Sequence, residues 1–286
     1  MAVRILLMTV RILLMAVRIL FLYLIIANFD PLIFANALMI NRKIKVSAVS
    51  YLNSKPLIYG LMNNDEIDLS LDIPSVCANK LLNDEVDIGL IPIAILPLMK
   101  EYFILTDYCI GADGAVSSVN LYSEVPLDKI ENILLDYQSR TSVMLCKVLA
   151  KYYWKINPNW INADDDFEQK INGTTAAVII GDRTFDKVGV YKNTFDLSLE
   201  WKNFTGLPFV FACWVANKKL PDDFVESFNK TIAFGIEHKE AAIQEWIAKS
   251  TSKVDVREYL EKYISYPLNH KKRQGMELFL NYCATI

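Results

Sequence analysis

The sequence predicts an α/β protein of two lobes, with a ligand cleft between them and helices at its C-terminal end. Three features carry that expectation. Val86–Pro92 (VDIGLIP) is a nearly continuous apolar run, the pattern of a strand buried on both faces of a parallel sheet. It completes a β-α-β-α-β order, which a largely parallel sheet explains. A second unit, from Ile133 to Asp182, repeats the order of strand, polar turn, helix and apolar strand, although its sequence identity to the first is low.

In the first unit, Lys45–Ser50 alternates and is β-prone, so it reads as a strand. Pro56 opens an apolar helix through Leu57, Leu61 and Met62, and Leu69–Ile73 is a second strand. Ser75 is the expected N-cap of a helix through Leu82. In the second unit, Ile133–Asp136 is a strand followed by the polar turn 137–142. A helix over 142–154 places Val143, Cys146, Leu149 and Ala150 on one side. Asp164, Asp165 and Asp166 form a solvated turn before a short helix, and Ala176–Ile180 is a strand ending in Gly181-Asp182.

Between the units lie the turn Gly111–Gly114, where Asp113 acts as a turn former, and the β-prone Val116–Ser123. Gly206–Val215 is the return segment, read as core and hinge. Asp222 caps a predicted helix to about Lys249, buried along Val225, Phe228, Ile232 and Ile236. Asp255 and Glu258 form a capping-box pattern, and a last helix runs from about Asn269 to Tyr282. The expected division is therefore 39–118 plus 216–286 for lobe one and 119–215 for lobe two. Parallel strands aim their carboxyl ends and the following helix starts at such a cleft.

Composition excludes several classes. With 53% hydrophobic residues the chain is not a disordered tail protein. Its 30 basic and 33 acidic residues leave no surplus positive charge for nucleic acid. The five cysteines are scattered with no Cys-x-x-Cys pair, which reads as buried free thiols in a reducing compartment. The two histidines, His238 and His270, read as surface or packing residues, and no metal centre is expected.

Residues 1–38 stand apart. Residues 1–21 are three tandem heptads, MAVRILL, MTVRILL and MAVRILF. Charged flanks for a coiled coil are missing. Arg4, Arg11 and Arg18 leave only the apolar run Ile19–Ala27, too short to span a bilayer at roughly 20 residues. Ala35-Asn36-Ala37 has the form of an export cleavage site, but Asp30 and Pro31 sit awkwardly before it. The favoured expectation is a start at Met39, with a signal or anchor as the rival. The membrane becomes a partner only if residues 1–38 are retained.

Two polar segments lie between a strand and a helix, where side chains face the cleft. In Tyr51–Leu57, Asn53 is either a donor and acceptor to a ligand or part of a capping loop. In Ser139-Arg140-Thr141-Ser142, three hydroxyls and backbone N–H groups make a cradle for a carboxylate or phosphate, or an ordinary N-cap. Arg140 pairs with the anion or bridges on the surface. Asp182 presents a carboxylate at a strand end. Gly-x-Gly-x-x-Gly and Walker patterns are absent, which disfavours nucleotide binding through them.

Six ordered segments then carry a resemblance: SYLNSKPL (Ser50–Leu57), NDEVDIGLIP (Asn83–Pro92), DYCIGADGAVSSV (Asp107–Val119), SRTSVML (Ser139–Leu145), VIIGD (Val178–Asp182) and GLPFVFACW (Gly206–Trp214). Together they resemble the chorismate dehydratases of the futalosine route to menaquinone, over about residues 43–286. The dihydroxynaphthoate-forming relatives of that route share the fold, but the first and fourth segments fit the dehydratases better.

The resemblance implies a fold like the type-2 periplasmic binding proteins and conversion of chorismate to 3-[(1-carboxyvinyl)oxy]benzoate and water. It implies Asn53 at the reacting end of the substrate, with Ser118, Thr141 and Ser142 holding a carboxylate and Asp182 nearby. No cofactor, no nucleic acid and no stable protein partner are implied, and the enzyme would be cytoplasmic. The rival class is a solute-binding protein for a small carboxylate, since fold alone does not separate binder from enzyme. A regulator's effector domain shares the fold too, but no helix-turn-helix precedes residue 43.

Overall fold

Two five-stranded mixed sheets organise the computed structural model, which describes residues 43–249 and 254–286. The heptads and the expected start at Met39 lie outside the described residues. The first sheet contains β1 (Ile44–Val49), β2 (Ile67–Asp72), β3 (Ile88–Pro92), β4 (Phe103–Ala112) and β10 (Phe209–Ala216), in the order β2-β1-β3-β10-β4. The second contains β5 (Val119–Ser123), β6 (Asn132–Leu135), β7 (Asn159–Asn162), β8 (Thr175–Ile180) and β9 (Asn193–Asp196), in the order β7-β6-β8-β5-β9. The two orders are equivalent. Each sheet has three parallel strands, then one antiparallel strand, β10 in the first and β5 in the second, and then an edge strand antiparallel to it. The internal repeat read from the sequence is thus a repeat of topology. The expected largely parallel sheet is mixed.

Burial explains which strands are central. All five residues of β3 and all eight of β10 are buried, matching their unbroken apolar runs. Trp214, at the middle of β10, is wholly buried and packs edge-on against Phe228. Because β10 pairs with β3 and β4, Phe209–Ala216 belongs to the first lobe and not to a second lobe of residues 119–215. The chain returns before Phe209, while the outward crossing lies between β4 and β5.

The helices are α1 (Lys55–Ile58), α2 (Pro74–Leu82), α3 (Thr141–Val148), α4 (Leu197–Thr205), α5 (Asp222–Glu237), α6 (Lys239–Lys249), α7 (Val256–Glu258) and α8 (His270–Cys283). Four local expectations change. Pro74 occupies the first turn of α2, where its missing N–H costs nothing, so Ser75 lies inside the helix and caps nothing. Asp222 is the first residue of α5, after an extended Pro221. The long C-terminal helix breaks at His238, whose ring stacks on Phe234. The helix after β6 is α-helical to Val148 and then widens into a π-turn over Leu149–Trp154. The Asp255 cap is present, its side chain accepting from Glu258 N at 2.9 Å. Asn269 likewise caps α8 through Lys272 N at 3.0 Å. Among the described residues, no helix is long and apolar enough to cross a membrane.

Candidate active site

A narrow cavity of about 50 Å³ lies between the two sheets. Its polar lining is Tyr51, Asn53, Ser118, Ser139, Thr141 and Ser142, and its walls are apolar residues such as Ile110, Val119 and Phe211. Among the described residues, no lysine or arginine lines it. An anion held there would therefore meet neutral dipoles in an apolar surround, where hydrogen bonds gain strength.

Asn53 sits in the single turn Leu52–Ser54 between β1 and α1. Ser54 ties that turn down, donating to the carbonyls of Val49 and, at 2.7 Å, Tyr51. Asn53 itself is held from both ends. Its carbonyl accepts from the Tyr266 hydroxyl at 2.9 Å, and its Nδ2 donates to Tyr259 Oη at 3.3 Å. Its Oδ1 is buried with no hydrogen-bond partner among the described residues. A buried carbonyl oxygen left empty at a cavity wall is a costly arrangement unless a ligand completes it.

The start of α3 forms the facing wall. Ser139 Oγ, one residue before the N-cap position, accepts from Ser142 N at 3.0 Å in the first turn of the helix. Thr141 Oγ1 donates to Phe211 O at 3.0 Å and accepts from Ala94 N at 3.2 Å, so it ties α3 to the first lobe. The Ser142 hydroxyl takes no protein partner among the described residues. Arg140 is not part of the cavity. It is exposed, and its guanidinium donates to Asn79 Oδ1 at 3.2 Å on the outer surface.

Asp182 takes a role the sequence did not indicate. Both of its carboxylate oxygens accept from Leu52 N, and it is not among the lining residues. Burial pushes its carboxyl up to about 6, against the pull of that N–H and of Lys55. Tyr51 reaches across to Gln138 Oε1, and Ser75 N donates to Gln138 O at 3.1 Å. The structure thus gathers Asn53, Ser118, Ser139, Thr141 and Ser142 on one cavity and leaves Asp182 behind it and Arg140 outside. It adds Tyr51, Tyr259 and Tyr266. No local signal marks the two C-terminal tyrosines, Tyr259 at the start of a helical turn and Tyr266 in the connection before α8.

Two α/β lobes with a cavity between them define a periplasmic-binding-protein-like fold. A protein from Archaeoglobus fulgidus superposes with a TM-score of 0.69 at 14% identity, covering 86% of this chain and 98% of that one. A Candida albicans protein described as having the generic periplasmic binding protein fold superposes at 0.61 and 13% identity, covering 85% and 90%. At such identities the likeness is one of fold alone. Residues 44–285 match the menaquinone biosynthesis family, and the chain belongs to it. Over 167 residues it is 26% identical to the chorismate dehydratase of Thermus thermophilus, covering 52% of this chain and 61% of that protein. The aligned part thus spans less than two thirds of that relative.

Proposed function

We propose that this protein is a carbon–oxygen lyase that eliminates water from chorismate to give 3-[(1-carboxyvinyl)oxy]benzoate, on the futalosine route to menaquinone. The observation that carries the reading is the empty Asn53 Oδ1, buried against a cavity whose other polar groups are hydroxyls and a helix start. Chorismate is a small dianion with a ring hydroxyl, groups that the hydroxyls and the Asn53 carboxamide of the cavity complement. Ser118, Ser142 and the start of α3 would take a carboxylate, and Asn53 the reacting end of the ring. The electron pair of the C3–H bond becomes the new ring double bond, and the C4 hydroxyl leaves as water. Aromatisation drives that loss. Neutral Asn53 is no base, so it orients the ring or polarises the leaving hydroxyl, and a substrate carboxylate takes the C3 proton and passes it to the departing C4 oxygen, which leaves as water. Four buried free thiols, Cys77, Cys109, Cys146 and Cys213, favour a cytoplasmic setting.

The test is to incubate the full chain with chorismate and no added cofactor, following the product by chromatography and mass. Formation of the aromatic enolpyruvyl ether at a catalytic rate is expected. Intact chorismate over a folded protein overturns the reading and favours a carboxylate-binding protein or the dihydroxynaphthoate-forming relative.

A further inference from the structure

The C-terminal segment behind the cavity carries a chain of three polar groups with a defined direction. Tyr259 is 2% exposed and stands between Asn53 Nδ2, at 3.3 Å, and Ser118 Oγ, at 2.7 Å. Phe185 closes its ring side, edge-on at 5.0 Å. A carboxamide nitrogen only donates, so Asn53 gives a proton to Tyr259 Oη. The phenol keeps its single proton, because burial pushes its ionisation far up. The neighbour placed to receive that proton is Ser118 Oγ. Ser118 then spends one lone pair on the phenol, and its own proton is left for the cavity that it lines. At the other end, Asn53 Oδ1 is left with nothing to accept.

We propose that Tyr259 is a positioning residue that fixes the hydrogen-bond polarity of the cleft, making Ser118 a donor and the Asn53 carboxamide oxygen an acceptor toward the ligand. The cleft therefore selects a molecule with an anionic or carbonyl oxygen at Ser118 and a hydroxyl group at Asn53. A ligand with two acceptors at those points meets the lone pair of Oδ1. A ligand with two donors wastes the Ser118 proton. Tyr266, holding the Asn53 carbonyl, keeps the backbone in register while Tyr259 sets the amide. This inference rests on the reading that the cleft acts on chorismate, which presents both a carboxylate and a ring hydroxyl.

Its test has a ligand-free arm and a turnover arm, both on the full chain. In protein labelled with ¹⁵N-asparagine, the Asn53 carboxamide protons should exchange about fivefold more slowly than those of an unbonded amide, as one neutral hydrogen bond implies. Tyr259→Phe should move that resonance and abolish the protection, while Ser118→Ala leaves it. An Asn53 amide exchanging at the unbonded rate in the wild type overturns the proposal, whether or not Tyr259→Phe folds. In turnover, Tyr259→Phe should lower kcat about 100-fold with KM changed less, since a misplaced reacting group costs about that much. Ser118→Ala added to Tyr259→Phe should cost less than Ser118→Ala alone. A Tyr259→Phe enzyme of wild-type kcat, or strictly additive variants, also overturns it. A wild type that neither binds nor converts chorismate, with the amide arm as expected, sinks the proposed function and leaves the bond polarity standing.

Discussion

Each carboxylate oxygen of Asp182 lies 3.1 Å from the backbone nitrogen of Leu52. The bond crosses from the end of β8 in the second lobe to the turn that carries Asn53 in the first. It makes Asp182 a clasp on the site and not a wall of it. The clasp is titratable, because burial raises its carboxyl from the ordinary 3.8 to about 6.

Stability should report that titration with a definite sign. A carboxyl raised in the folded state binds more protons there than in the unfolded chain, so its contribution is greatest below 3.8 and is lost as pH rises through about 6. Asp136 and Asp196, also raised by burial, act in the same direction. In Asp182→Asn the share from residue 182 disappears. Thermal unfolding of wild type and variant from acid to neutral pH should show the wild type losing on the order of 1–2 kcal/mol relative to the variant across that window. A constant difference between the two curves would remove the titration from Asp182.

Asn53→Ala should act on chemistry more than on affinity. Removing one group aimed at a reacting centre costs about 100- to 1000-fold in kcat. Chorismate affinity, measured by calorimetry, should weaken by less than about tenfold, because the hydroxyls and the start of α3 remain. A variant that turns over normally would detach Asn53 from the reaction.

Gly181 is a backbone requirement. Its φ is +71°, and a Cβ there would sit 2.7 Å from ring carbons of Tyr51. Gly181→Ala should destabilise the protein by about 2 kcal/mol from the left-handed backbone alone. It should also push Tyr51 off Gln138, so ligand affinity falls with stability. Urea unfolding and calorimetry on the same variant check both effects.

Asp196 holds the outward crossing between the lobes. Its side chain accepts from Val116 N at 2.9 Å and Ser117 N at 2.6 Å, and caps α4 through Ser198 N at 3.0 Å and Leu199 N at 3.1 Å. Ser117 has a φ of +66°, rare for a residue with a side chain. Asp196→Ala should cost about 3 kcal/mol, a lost cap plus unpaired backbone donors. Limited proteolysis should then cut near residues 113–118, and a variant resistant there would show that the crossing holds by itself.

The parts of the fold legible in the sequence are those with one dominant physical cause. Unbroken apolar runs marked β3, β8 and β10, since a strand covered on both faces has no polar positions. β4 escaped notice because Thr106, Asp107 and Tyr108 interrupt it where it runs along the sheet's edge. There it pairs with the C-terminal segment, Cys109 N donating to Tyr266 O at 2.8 Å. β7 and β9 are four-residue edge strands with asparagine in both, which reads as loop. At the site, the cavity-lining positions of Asn53, Ser139 and Ser142 are legible because strand-to-helix turns face a cleft. Of the two readings open for Arg140, the structure takes the surface one, because such a turn also has an outer side where a long side chain can lie. Tyr259 and Tyr266 carry no such mark because their partners lie 141 to 213 positions earlier and share no local pattern with them.

The position of β10 also dictates an order of assembly. It is the last strand of its sheet to be synthesised, yet it is wedged between β3 and β4, which have no pairing with each other. The second sheet, by contrast, is continuous in sequence and complete before β10 emerges. A growing polypeptide therefore closes its inserted lobe while the enclosing one still shows two open strand edges. In the cell, the span of translation between the end of β4 and the end of β10 is when this protein is most in need of a chaperone.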